Sequence, residues 1–235
     1  MKRVYVCGIR GLSRGLTSVG VRGWLERRRS NRAALFLRSL MSIYDFQDMI
    51  RLDIPWWTFG AAAEVEAFLK AKGGRARVFE YGPGASTAWL AARAGSVSYV
   101  EHDPDFHGAL AAEMARLPNV SGQLVEPVAP PAGQAPRCSS QRAGYQGLEF
   151  AAYVAAIGDA GGPFDLIIVD GRARPHCLAE AVKHLAKGGM ILFDDTQRAR
   201  YGGALAAAGL PVERYRGLRP ALPYVTETSL LRGAA

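Results

Sequence analysis

From residue 76 onward, short apolar runs alternate with stretches whose apolar positions recur every three or four residues. The runs at 76–81, 97–101, 120–125, 164–170 and 190–195 read as strands, and the stretches at 86–95, 105–117, 147–161 and 175–189 as helices. "LIIV" inside 164–170 is unbroken, as fits a central parallel strand covered on both faces. A helix at 198–209 and strands at 211–216 and 224–232 close the chain. Ahead of this alternation, residues 31–52 have helical spacing, with Asn31 as N-cap and Pro55 as a stop. A further helix at 61–74 is closed by Gly73. Repeated strand–helix units predict an α/β fold, a Rossmann-like doubly wound sheet whose ligands bind at the carboxyl ends of the strands. Residues 126–146 are rich in Pro, Gly and Ser, and a loop of this length in a compact domain reads as a lid or substrate loop. Residues 1–30 lack a firm period and are expected to be poorly ordered or weakly structured. The expected division is a basic, partly helical N-terminal extension at 1–52 and one domain at 53–235.

Charge sharpens that division. Of the net +8, residues 1–40 hold ten Lys or Arg against one acid, while the remainder carries 19 basic and 20 acidic side chains. Such an arm docks on nucleic acid, anionic lipid or an acidic substrate, or is simply a solvated Arg-rich extension, and the last is the reading preferred here. The 49% of apolar residues suffices for a full core, and no stretch approaches the ~18 to 20 apolar residues of a membrane span. Peripheral contact with a membrane stays open, as does oligomeric state. Cys7, Cys138 and Cys177 are too far apart to suggest a disulfide framework or a zinc site, which fits idle thiols in a reducing cytoplasm.

The candidate chemistry starts at "RVFEYGPGASTAWL". Gly82 and Gly84 allow a tight turn and close approach to a ligand at the start of a helix. A dinucleotide fingerprint would place Gly or Ala where Thr87 stands, and would not favour Glu80 just before the loop. A carboxylate there suits an ammonium group better than a pyrophosphate. Glu101 ends the next strand, 21 residues on, where an acid accepts ribose hydroxyls. A ribose, a cationic amino-acid end and no phosphate together describe S-adenosylmethionine.

The segments "IPWWTF", "VFEYGPGASTAWLA", "VEHD", "FDLIIVDGRARPHC" and "LAKGGMILFDDTQRARY" resemble, in order, class I S-adenosylmethionine-dependent methyltransferases of a bacterial subgroup, over residues 45–235. The resemblance implies a seven-stranded sheet of order 3-2-1-4-5-7-6 with the last strand antiparallel. It also implies that Glu80, Gly82, Gly84, Ser86 and Thr87 line the methionine end, with Glu101 on the ribose, His102 near the adenine and Asp170 beside the methyl group.

Asp170, Asp194 and Asp195 at the ends of the fourth and fifth strands are similar to the Mg²⁺ ligands of catechol-type O-methyltransferases. Two departures stand out: Asp195 replaces an expected Asn, and Arg172 and Arg174 lie close enough to neutralise the carboxylates without a metal. An Mg²⁺ site and an Asp–Arg network are equally compatible with the residues. Without a metal, Asp170, Asp194 or His176 is the candidate base. Arg172, Arg174, Arg198 and Tyr201 are candidates for holding an anionic acceptor or for tying the loops together. His107 and His184 read as solvent-facing. The expected activity is O-methylation of a small molecule or a sugar hydroxyl. The alternative is a nucleic-acid-binding methyltransferase or binding module that uses the basic arm, disfavoured by the body's charge and by the lack of aromatic base platforms.

Overall fold

The computed structural model describes residues 20–43 and 45–234. Seven strands form one sheet in the order β3-β2-β1-β4-β5-β7-β6. They are β1 (Arg77–Tyr81), β2 (Ser96–Glu101), β3 (Val120–Leu124), β4 (Phe164–Val169), β5 (Leu185–Asp194), β6 (Val212–Arg219) and β7 (Leu222–Arg232). β1 to β5 pair in parallel, and β7 runs antiparallel to both β5 and β6. This is the expected fold.

Strand periodicity explains why the sheet is buried on both faces. Alternate residues of the central strands feed two different cores. Phe79, Ile167, Ile191 and Phe193 join one cluster with α7 (Ala151–Asp159), α8 (Arg174–Lys183) and α9 (Gly202–Ala207). Val78, Leu166, Ile168, Met190 and Leu192 join the other with α4 (Phe59–Ala71) and α5 (Ala85–Ala91). Each such side chain contributes about 1.5–3 kcal/mol by leaving water, which fixes the register of the strands that carry the site. α6 (Pro104–Met114) lies between β2 and β3, its Leu110 and Met114 packed on Tyr99.

The N-terminal segment departs from expectation in two places. The expected poor order or weak structure over 1–30 fails at its far end, where Val21–Arg27 form α1; residues 1–19 lie outside the described residues. The helix expected over 31–52 is two helices, α2 (Arg32–Ser39) and α3 (Phe46–Leu52), separated by a 3₁₀ turn. Asn31 caps α2 as expected, accepting from Ala33 N and Ala34 N, but Asp45 caps a fresh start by accepting from Asp48 N. A buried guanidinium joins the pieces. Arg38 donates to both oxygens of Asp48, at 2.8 and 3.0 Å, and to Glu26. The segment sits on the body through Ile43, Met49, Leu52 and Ile54, which pack with Ala85 and Ala221, and through Ala221 N donating to Ser39 Oγ.

A third difference concerns "HLAKGG". Expected as the end of a helix, it is the start of β5, which begins at Leu185. Phe164 N donates to His184 O there, and a register shift separates this pairing from the main β4–β5 ladder. The loop expected over 126–146 holds no helix or strand, and it runs on to 150, where a helix from 147 was expected. It is closed at the base by the Val128–Glu149 bridge and by the Glu149 carboxylate, which accepts from the amides of Arg137, Cys138 and Ala151. No helix among the described residues is long and apolar enough to cross a membrane.

Candidate functional site

β1 and β4 are neighbours, but their chains leave towards opposite edges of the sheet, β1 to β2 and β4 to β5. The loops beyond their carboxyl ends therefore diverge and open a crevice. A cavity of about 380 Å³ occupies it, within the usual range for ligand pockets. Its floor is the contact between two glycines. Gly82 has φ +83°, and a Cβ there would lie 2.7 Å from Gly171 N. Only glycine lets the β1 loop turn this way and touch the β4 loop.

Glu101 ends β2 at the cavity wall, 2% exposed. Its Oε1 accepts from His102 N at 2.7 Å and Asp103 N at 2.8 Å, which leaves Oε2 for a ligand. His102 Nδ1 sits 2.5 Å from the same Oε1 but off the line of a hydrogen bond, and its buried Nε2 has no partner among the described residues. The imidazole stands in an aromatic box, with Tyr145 edge-on at 4.7 Å, Tyr153 at 6.0 Å and Phe150 at 6.1 Å. Tyr145 comes from the long loop and is tied down by its hydroxyl, which donates to Asp103 Oδ2 at 3.1 Å.

Glu80 does not line the cavity. It is on the α5 face of β1, fully buried, and accepts from Ser86 Oγ at 2.5 Å and Thr87 Oγ1 at 2.6 Å. Thr87 Oγ1 in turn accepts from Gly84 N at 3.0 Å. Glu80, Ser86 and Thr87 thus bond one another and Gly84 N and hold the shape of the glycine turn, and the lining of the cavity does not include them. Burial pushes Glu80 up to about 7 despite the two hydroxyl donors, and the Glu101 charge adds to the rise.

The three aspartates converge as expected, but arginines take up their oxygens. Asp194 accepts from Thr228 Oγ1 at 2.7 Å and Arg219 Nη1 at 2.8 Å. Asp195 accepts from Arg198 Nη2 at 2.6 Å and Arg219 Nη1 at 3.3 Å. Burial works to raise Asp195, but Arg174, Arg219 and Arg198 outweigh it and hold the carboxyl below its ordinary range. Asp170 differs. Its Oδ1 accepts from Arg174 Nη2 at 2.6 Å, Oδ2 has no partner among the described residues, and the side chain keeps 23% of its surface exposed. Burial, with Asp194 and Asp195 nearby, pushes it up to about 8. Among the described residues no group of three His, Cys, Asp or Glu side chains is arranged to hold a metal. The donor set does not fit Mg²⁺, because every one of its carboxylate oxygens except Asp170 Oδ2 already accepts from an arginine or from Thr228.

Other candidates fall away from the cavity. His176 is on the first turn of α8, half-buried, and does not border it. Arg198 is spent on Asp195, and Tyr201 is buried against Phe193, its hydroxyl accepting from Arg200. His107 and His184 are not free in solvent: the first packs on Tyr99 and the second meets Glu180 at 3.3 Å. Sequence reasoning missed Tyr145, Trp56, Phe106 and Arg219 as cavity-side residues. Tyr145 had one signal, as the single aromatic of residues 126–146. Arg219 had none in a chain so rich in arginine.

Residues 79–196, half of the chain, match a family model described as "Methyltransferase domain". The chain belongs to the class I S-adenosylmethionine-dependent methyltransferases. The methyltransferase cofactor fits the residues present: a glycine floor that a Cβ would fill, an acid with a spare oxygen at the end of β2, and an imidazole with an unpartnered nitrogen beside it. Solved methyltransferases share the fold at low identity. The rRNA methylase from Streptococcus thermophilus is 13% identical with a TM-score of 0.51, over 73% of this chain and 95% of that one. The O-methyltransferase TomG from Streptomyces achromogenes, in complex with SAM, is 15% identical with a TM-score of 0.50, over 74% and 81%. Cofactor-bound Rv0187 from MTB is 20% identical with a TM-score of 0.50, over 80% and 87%. No curated protein sequence matches the chain.

Proposed function

We infer that this methyltransferase acts on a hydroxyl of a small molecule or sugar unit, with Asp170 as the general base and no metal. Methyl transfer is an in-line displacement, so the protein must align the acceptor oxygen and take up its proton. S-adenosylmethionine, when bound, supplies a methyl group activated by its cationic sulfur. Glu101 Oε2 would accept from the ribose, and His102, with Tyr145 closing on it, would face the adenine. Those residues would hold the adenosine end on the β2 side of the crevice, while Asp170 borders the cavity at the end of β4.

The observation that carries the reading is the difference among the three aspartates. Each carboxylate oxygen of Asp194 and Asp195 already accepts a hydrogen bond, whereas Asp170 borders the cavity with Oδ2 unpartnered among the described residues and is raised to about 8, near the pH at which a base operates best. Arg174 then has a positioning role: its Nε and Nη groups bond Gly171 O, Asp194 O and Asp170, which holds the carboxylate in one direction. Trp56 and Phe106 provide an apolar wall on the side of the N-terminal helices.

The test is a panel of phenols, hydroxy acids and glycosides incubated with methyl-labelled S-adenosylmethionine. An oxygen-linked label that appears with the native enzyme and not with Asp170→Asn is the expected result. Labelling of nitrogen, or of RNA in place of the small molecules, would overturn it.

A further inference from the structure

Arg172 is the one arginine of the cavity wall that meets no carboxylate among the described residues. Arg174 and Arg219, its neighbours in the wall, are paired with Asp170, Asp194 and Asp195. The Arg172 guanidinium has only a 3.4 Å contact from Nη1 to Gly171 O and a position 5.4 Å over the ring of Tyr145, and its Nε is buried without a partner. The charged groups around it make the position worse. Burial lowers its pKa, the nearby charges of Arg142 and Arg174 lower it further, and Tyr153 and the Glu101 carboxylate, which makes no ion pair with it, offset only part of this. Arg142 and Tyr145 belong to one turn, closed by Tyr145 N donating to Arg142 O at 2.9 Å, so the long loop brings a second cation and a ring to the same spot. A half-buried guanidinium beside other cations is costly unless an anion completes it. Arg172 stands two residues from Asp170 after β4 and borders the same cavity, with its guanidinium over the ring of Tyr145 from the long loop. The adenosine part of the cofactor, which Glu101 would hold, is uncharged and cannot supply that anion.

Resting on the reading of the site as a hydroxyl methyltransferase, we propose that Arg172, assisted by Arg142, binds a carboxylate or phosphate group of the acceptor. The acceptor is then an acidic hydroxyl compound, spanning from Asp170 at its reacting oxygen to Arg172 at its anionic end. Arg172 is a specificity residue in this account, and the proton is handled by Asp170. Planar guanidinium suits the two oxygens of such a group better than an ammonium would.

The test uses the full-length ¹⁵N-labelled protein, with S-adenosylhomocysteine and without it, and follows arginine Nε–Hε resonances during titration with benzoate and with inorganic phosphate. Benzamide serves as the neutral control. A saturable shift of the Arg172 resonance by the anions and not by benzamide is expected, and the accompanying shift at Arg142 should be absent from Arg172→Gln and need roughly tenfold or more anion in Arg172→Lys, as for loss of a charge-assisted fork. Arg172→Lys keeps the positive charge, so it remains informative if Arg172→Gln fails to fold. No saturable response, or the same response in Arg172→Gln, would overturn the proposal. A second arm compares S-adenosylmethionine with its decarboxylated analogue. Arg172→Gln should change the affinity of both by the same factor; a penalty confined to the carboxylate-bearing form would assign the anion to the cofactor and end the proposal. A response to anions in a protein that binds no S-adenosylhomocysteine would leave the anion site standing and sink the cofactor reading instead.

Discussion

Gly82→Ala perturbs the point on which the crevice depends. The substitution adds one methyl group to a backbone at φ +83°, where an L side chain costs about 1–2 kcal/mol. That methyl would lie 2.7 Å from Gly171 N and closer still to Gly171 Cα, both backbone atoms that cannot swing aside as a side chain would. Overpacking of that kind adds about 1–3 kcal/mol, for a total of about 2 to 5 kcal/mol. In a domain of this size the melting temperature should fall by roughly 4 to 20 °C. Calorimetric titration with S-adenosylhomocysteine should show at least a tenfold loss of affinity, on the order of 1.4 kcal/mol, because the loop that meets the ligand is displaced. Gly171→Ala is the reciprocal probe. Its Cβ would run into Tyr153 Oη, so adding Tyr153→Phe should restore part of the loss in that variant and none in Gly82→Ala. A Gly82→Ala protein that melts and binds like the parent would refute the claim that the two loops touch through their glycines.

Three further outcomes follow from the charges. With Asp170 raised to about 8, kcat/KM should climb about tenfold per pH unit below that value and level off above it, since the deprotonated carboxylate is the working form; a flat profile between pH 6 and 9 with chemistry rate-limiting would remove Asp170 as base. Glu80, at about 7 in the fold against about 4.5 when unfolded, keeps its proton longer in the native state. Stability relative to Glu80→Gln should therefore be fully present below about 4.5 and decline by an amount on the order of 3 kcal/mol as pH rises past 7, and parallel urea midpoints for the two proteins would contradict this. Because arginines already occupy the oxygens of Asp194 and Asp195, neither EDTA nor added Mg²⁺ should change turnover; activity abolished by EDTA and restored by Mg²⁺ would show that a metal displaces those guanidinium groups.

The fold was legible because the central strands are apolar on both faces. "FDLIIV" feeds one core with Ile167 and the other with Leu166 and Ile168, and no surface element can do that. The element boundaries were harder where local preference and tertiary pairing disagree. "HLAKGG" contains good helix formers, yet Leu185 pairs with Phe164 and draws the segment into β5. In the site, backbone-dictated features were readable: the glycine turn, and the acid at the end of β2. Side-chain direction was not. Glu80 precedes the glycines as a ligand-facing acid would, but its place on the strand's α5 face commits it to Ser86 and Thr87, six and seven residues on. The aspartate triad looked open to a metal because Arg219, which neutralises two of its members, reaches it from the β6–β7 hairpin, 24 and 25 positions away. Linear spacing carries no trace of that meeting.

The most direct measurement is the calorimetric titration of the native protein and of Glu101→Ala with S-adenosylmethionine and S-adenosylhomocysteine, with NAD as comparison. The native protein should bind both saturably and NAD not at all, and Glu101→Ala should lose about tenfold to a hundredfold in affinity, on the scale of a charged hydrogen-bond acceptor removed from a buried site. Undiminished binding to a folded Glu101→Ala, or retention of NAD in place of S-adenosylmethionine by the native protein, would contradict this.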